Sequence, residues 1–230
     1  MCGRFTIVPT MDFSERFHLP PGQAPLPRYN VAPGQEVPVI VRDGGNRAVS
    51  MAWGLIPPFV KDPAAGRPLI NARAGTLLSR PAFRGAVQSR RCLVPASGFY
   101  EWRKEGTRRI PFYLRLPANP VFSFAGLYET GRVSGPSTFA IVTTTPNRLV
   151  AGLHDRMPAI LPREKEEVWL APGPVGEADL GAILAPYPAG EMEAYPVSRR
   201  VNDPGGEGPG LIEPLSPLIP PEAAPSRSRT

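Results

Sequence analysis

The runs C-L-V-P-A (92–96), G-F-Y-E-W (98–102), I-P-F-Y-L-R-L (110–116), V-F-S-F-A-G-L-Y (121–128) and F-A-I-V-T-T (139–144) follow one another with turns between them and no long helix. Each is strand length and rich in aromatic and β-branched residues. Upstream, V-P-V-I-V-R (37–42) and R-A-V-S-M-A-W-G-L-I (47–56) flank D-G-G-N (43–46), which predicts a hairpin. Strands so closely spaced favour a largely antiparallel α+β domain over a doubly wound parallel sheet. Helices are short in this reading. T-M-D-F-S-E-R-F-H-L (10–19) places Phe13 and Phe17 on one face, with Thr10 as candidate cap and Pro20–Pro21 as stop. Further short helices are expected in N-A-R-A-G-T-L-L-S-R (71–80), in P-A-F-R-G-A-V-Q-S (81–89), from Pro146 to about Leu153, from Pro162 through Leu170, and near 177–184. R-Y-N-V-A-P-G-Q (28–35) reads as a proline-rich loop, and the Gly-, Pro- and Ser-rich end predicts a disordered tail.

The 230 residues suffice for one sizeable core and argue against two. No apolar run approaches the roughly 18 residues of a membrane span and no signal peptide opens the chain, so the expectation is a cytoplasmic protein with no membrane partner. Two cysteines, Cys2 and Cys92, make no disulfide framework, and with His18 and His154 the only histidines neither a metal nor another cofactor is expected. The net charge of +6 points weakly to a polyanion. Only three of the 26 basic residues are lysines, and arginine is the better fork for phosphate, although a genomic composition bias would give the same skew. There is no G-x-G-x-x-G, Walker motif or internal repeat.

The chain begins M-C-G-R-F. If Met1 is trimmed, Cys2 carries an α-amine and a thiol on adjacent carbons, a pair that closes on an aldehyde as an imine and then a thiazolidine ring. On the pentapeptide alone, a second residue of no consequence is the better bet. Partners for the thiol are few. His154 lies in L-H-D-R-M-P beside Asp155 and Arg156, whereas His18 has no such company. Glu101 sits between Tyr100 and Trp102; desolvation there would raise its pKa, but strand alternation alone leaves it an ordinary solvent-facing residue. Asn71 and Arg73 in I-N-A-R suit a sugar and a phosphate, and Asn71 equally suits a helix cap. Trp53 and Phe59 bracket a proline loop; Trp53 reads as core and Phe59 as the exposed aromatic able to stack on a base. Cys92 reads as an inert buried thiol.

Taken together, M-C-G-R-F (1–5), R-Y-N-V-A-P (28–33), W-G-L-I-P (53–57), L-I-N-A-R-A (69–74), R-R-C-L-V-P-A-S-G-F-Y-E-W (90–102), G-L-H-D-R-M-P (152–158), V-S-R-R-V-N (197–202) and L-I-E-P-L (211–215) closely resemble the SOS response-associated peptidase (SRAP) family of abasic-site processing proteins. The resemblance implies a single α+β SRAP domain over 1–215, with a barrel-like, mostly antiparallel β core, short peripheral helices and a disordered 216–230 tail. It implies binding to single-stranded DNA and, after loss of Met1, a thiazolidine crosslink between Cys2 and the ring-opened abasic aldehyde, with possible self-processing and DNA-lyase activities. By motif, Glu101 and His154 would move protons, Asn71 would hold the N-terminal residue and sugar, and Arg4, Asn30, Pro33, Trp53, Phe59, Arg73, Thr143 and Arg156 would contact DNA. The expected state is a monomer.

Two positions depart from the resemblance. Phe59 stands where a tryptophan is common, and Gly75 where a glutamate follows N-A-R-A. Two rival readings remain at this point. One is a thiol peptidase or amidohydrolase built on Cys2, and the other a plain single-strand-binding module, against which the M-C start argues.

Overall fold

The computed structural model describes residues 2–60, 67–131 and 135–215; Met1 and the tail expected at 216–230 lie outside them. In chain order the strands are β1 (Phe5–Ile7), β2 (Arg28–Val31), β3 (Glu36–Arg42), β4 (Asn46–Trp53), β5 (Asn71–Arg73), β6 (Arg91–Ala96), β7 (Gly98–Glu105), β8 (Arg108–Arg115), β9 (Phe122–Glu129), β10 (Thr138–Thr144), β11 (Met157–Pro158), β12 (Ile160–Leu161) and β13 (Glu193–Pro196). The helices are α1 (Phe13–Arg16), α2 (Arg84–Ser89), α3 (Arg163–Leu170) and α4 (Glu177–Ile183). One sheet runs β13–β8–β7–β1–β2, antiparallel throughout. In the other, pairing passes β10–β4–β3–β6–β9 and returns to β10, with β5 and β11 added on β10 and β12 on β9. Among the described residues, only β10–β4 and β10–β5 are parallel. The joints of this ring are thin: β3 meets β6 at Ile40↔Leu93 alone, and β10 meets β4 at two pairs. The result is ring-like and mostly antiparallel, short of a closed barrel.

Alternation explains why the strand runs are so continuously apolar. Phe139 and Ile141 of β10 point into the core shared with the first sheet, while Ala140 and Val142 point outward under the helices. The shared core gathers Cys2, Phe5, Trp53, Phe99, Phe124 and Phe139; the outer one gathers Phe13, Phe17, Trp169 and Leu180 from α1, α3 and α4. With both faces covered, polar alternation has no place in the ring strands. Gly98 opens β7 because Tyr113 of β8 lies across it: a Cβ there would fall 2.2 Å from the tyrosine ring, whose hydroxyl meets Thr6 Oγ1 at 2.9 Å.

Several local expectations need correction. The helix at 10–19 shrinks to the single turn α1, with Phe13 and Phe17 buried together as predicted, but Asp12 occupies the N-cap position, and Thr10 accepts the Phe13 N–H through its carbonyl while its side chain bonds Asp12. The R-Y-N-V segment is a strand, recruited by β1. N-A-R is strand β5 followed by a 3-10 turn at Ala74–Thr76, so Asn71 caps no helix. The Pro146 segment makes only a 3-10 turn at Val150–Gly152. The hairpin at 43–46 and the helices at α2, α3 and α4 stand as expected.

Candidate active site at the chain start

β1 carries the first residues inward. Phe5 pairs with Phe99, and the Tyr100 N–H donates to Arg4 O at 3.0 Å, so the chain start runs alongside β7. Cys2 is left at 0% exposure in the core. Its carbonyl accepts a 2.9 Å hydrogen bond from Asn71 Nδ2. Asn71 is held from both sides: β5 lies parallel to β10, and the carbonyl of the preceding Ile70 accepts from the Trp53 indole at 2.8 Å and from the Ile141 N–H at 3.1 Å. Asn71 Oδ1 is buried without a hydrogen-bond partner among the described residues.

Phe99 and Glu101 share a face of β7, as alternation requires, but that face turns inward and leaves Glu101 2% exposed. Burial pushes its carboxyl up to about 7, against the opposing charge of the chain's amino terminus. Burial, and then the Glu101 carboxylate, push the Cys2 thiol up as well, so it is held as a neutral thiol. His154 follows the Val150–Gly152 turn, its N–H donating to Val150 O at 2.8 Å. Burial first and the amino-terminal charge second lower its pKa, with Asp155 opposing, so the imidazole is neutral at pH 7. Its Nδ1 stands between two partners: without a proton it accepts from the Arg156 N–H at 3.1 Å, and with one it donates to Asp155 Oδ1 at 2.7 Å. The sequence reading gave Asp155 no role of its own; its place next to His154 was the available signal.

Thr143 is fully buried in β10, opposite Arg73 of β5 and Pro158 of β11. Its carbonyl and Oγ1 both accept from Arg156 Nη2. Burial and the neighbouring Arg73 guanidinium lower the pKa of Arg156, which means two cations crowd one edge of the site. The fold thus brings together Cys2, Asn71, Glu101, His154, Arg73, Thr143 and Arg156.

The other predicted contacts sit differently. Arg4 Nη1 donates to Asn30 Oδ1 at 2.7 Å and Val201 O at 2.8 Å, while buried Asn30 donates to Asp203 O and Gly206 O. These two residues brace the 199–206 segment. Trp53 is at 0% exposure and supports the site from beneath, offering no face to a ligand. Pro33 is exposed on the turn whose Gly34 N–H donates to Trp53 O, and Phe59 is 60% exposed beyond β4. Among the described residues, no three His, Cys, Asp or Glu side chains group as metal ligands, and no helix is long and apolar enough to cross a membrane.

Residues 1–204 match the family model described as SOS response associated peptidase (SRAP). The chain belongs to the SRAP family. This SRAP chain is 45% identical over 223 residues to abasic site processing protein YoqW of Bacillus subtilis, covering 93% of this chain and 99% of that one. It is 33% identical to abasic site processing protein YedK of Escherichia coli, over 94% and 100% of the two chains. A crystal structure of a Bacteroides thetaiotaomicron protein superposes with a TM-score of 0.73 at 33% identity, covering 82% of this chain and 85% of that one.

Proposed function

We propose that this protein binds single-stranded DNA at abasic sites and captures the lesion covalently through Cys2. Hydrolysis of the Met1–Cys2 peptide bond would release methionine and leave Cys2 with a free α-amine. That amine adds to the C1′ aldehyde of the ring-opened sugar, and loss of water gives an imine. The thiol sulfur then adds to the imine carbon while its proton passes to nitrogen, closing the thiazolidine. The crosslinking itself releases one water and nothing else, and no oxidant, metal or cofactor is called on.

The observation that carries this reading is the pairing of a carboxyl pushed up to about 7 with a cysteine whose carbonyl is clamped by Asn71. Near neutral pH Glu101 is able both to take the ammonium proton and to return one to the departing carbinolamine hydroxyl. Neutral His154 is a second proton acceptor on the same side. The raised Cys2 thiol favours an order in which the amine attacks first and sulfur closes second. The paired Arg73 and Arg156 guanidiniums suit a phosphate on either side of the lesion. Relatives named abasic site processing proteins support the same substrate.

The test is a denaturing gel with intact mass, using a single-stranded oligonucleotide containing one abasic site. The expected product is a heat-stable adduct of protein without Met1, absent with an intact oligonucleotide and absent in Cys2→Ala. An adduct formed by protein that retains Met1, or by Cys2→Ala, would overturn the thiazolidine.

A further inference from the structure

Next to the paired Arg73 and Thr143, both strands run on into a cleft of about 450 Å³. Ala74 and Gly75 continue from β5 and Thr144 and Thr145 from β10, while α4 closes the far side with Leu180 and Leu184. We propose that this cleft is a nucleobase subsite, taking the base next to the abasic sugar when single-stranded DNA lies across Arg73 and Arg156. The inference rests on the function proposed above and adds to it a contact with a neighbouring, undamaged nucleotide.

Three observations point to a base as occupant. The floor is apolar, with Leu77, Leu180 and Leu184 buried, and hydroxyls of Ser79, Thr144 and Thr145 stand among the lining residues. An apolar slot with a few polar groups suits the flat face and polar edge of a base. Second, the ionisable lining residue is Glu177. A carboxylate there repels a phosphate, whereas it accepts from an exocyclic amino group. Third, the cleft begins at Ala74, the residue after Arg73, and at Thr144, the residue after the Thr143 that Arg156 grips: with a phosphate held between those two cations, the attached nucleoside is the part of the strand next to it. A Cβ at Gly75 would meet nothing within 4 Å, so neither crowding nor a left-handed backbone requires glycine.

Binding is measured with wild-type protein and labelled single strands carrying a central tetrahydrofuran, a base-less sugar with no aldehyde and therefore no crosslink. In two further strands either the 5′ or the 3′ neighbour also lacks its base. Removing one of the two neighbouring bases is expected to weaken binding about five- to tenfold, and removing the other to matter much less. Gly75→Trp, which adds a bulky side chain at a lining position where a Cβ meets nothing within 4 Å, is expected to bind the fully based strand at that weaker level and to ignore the deletion. Equal affinity for all three strands in the wild type overturns the subsite, as does an undiminished deletion effect in Gly75→Trp. If abasic crosslinking persists in the gel while the neighbours are immaterial, only the subsite falls; if no single strand binds at all, the proposed function falls with it.

Discussion

A carboxyl that is 2% exposed and pushed up to about 7 is a group maintained at the expense of stability. Glu101 has an ordinary value of 4.5, and its folded value is the higher one. The folded state therefore holds the proton between those two pH values while the unfolded state releases it. Stability from this group is fully present below pH 4.5, falls as the pH rises, and levels off above about 7. The whole shift corresponds to about 3 kcal/mol. Glu101→Gln keeps the shape and removes the titration. The variant is expected to be more stable than the wild type by up to about 3 kcal/mol at pH 8 and indistinguishable at pH 4, read from urea titrations at both values. Crosslinking should slow by about a hundredfold or more, because the proton carrier is gone. Equal stabilities at pH 8 would mean that the carboxylate is well compensated where it sits, and its role as a poised acid would be lost.

At the level of elements, the strongest apolar runs predicted themselves: β6 to β10 and the β3–β4 hairpin stand where pattern put them, because a strand buried on both faces leaves an unbroken apolar signature. What composition could not show was the short strands β1, β2 and β5, which exist only because a neighbour pairs with them. Alternation placed Phe99 and Glu101 on one face, yet nothing local said that this face turns inward; that depends on the second sheet, whose Phe124 packs on Phe99. Likewise Asn71 was legible as an amide of interest, while its bond to Cys2 spans 69 residues of sequence. Asn30 illustrates the same gap. Its motif suggested DNA, whereas its side chain joins β2 to the 199–206 segment through Arg4, Asp203 and Gly206. Asn30→Ala strips hydrogen bonds from several buried or half-buried groups at once and is expected to destabilise the fold by about 2–4 kcal/mol, measured by chemical denaturation. A loss under about 0.5 kcal/mol, with DNA affinity reduced, would return Asn30 to the DNA surface.

For the whole molecule, the excess of positive charge and the proposed covalent step make separate predictions about salt. A net charge of +6 draws a nucleic acid to the protein generally, but only cations that displace counterions from phosphates set the salt dependence. With Arg73 and Arg156 as two phosphate contacts, the slope of log affinity against log salt for a single strand is about −1.4, a fall of about sevenfold between 50 and 200 mM. Crosslinking at protein concentrations well below saturation should slow by that factor, since capture then depends on encounter and binding. At saturating protein the rate should change little, because amine attack and ring closure occur within the bound complex. The finished thiazolidine should survive high salt unchanged. Arg73→Gln should lessen the slope by about 0.7 while leaving the saturated rate near that of the wild type, since in the proposed function the guanidinium holds phosphate and takes no part in proton transfer. If instead the saturated rate collapses in Arg73→Gln with the slope intact, Arg73 acts on the reacting sugar and the phosphate contacts lie elsewhere on the arginine-rich surface.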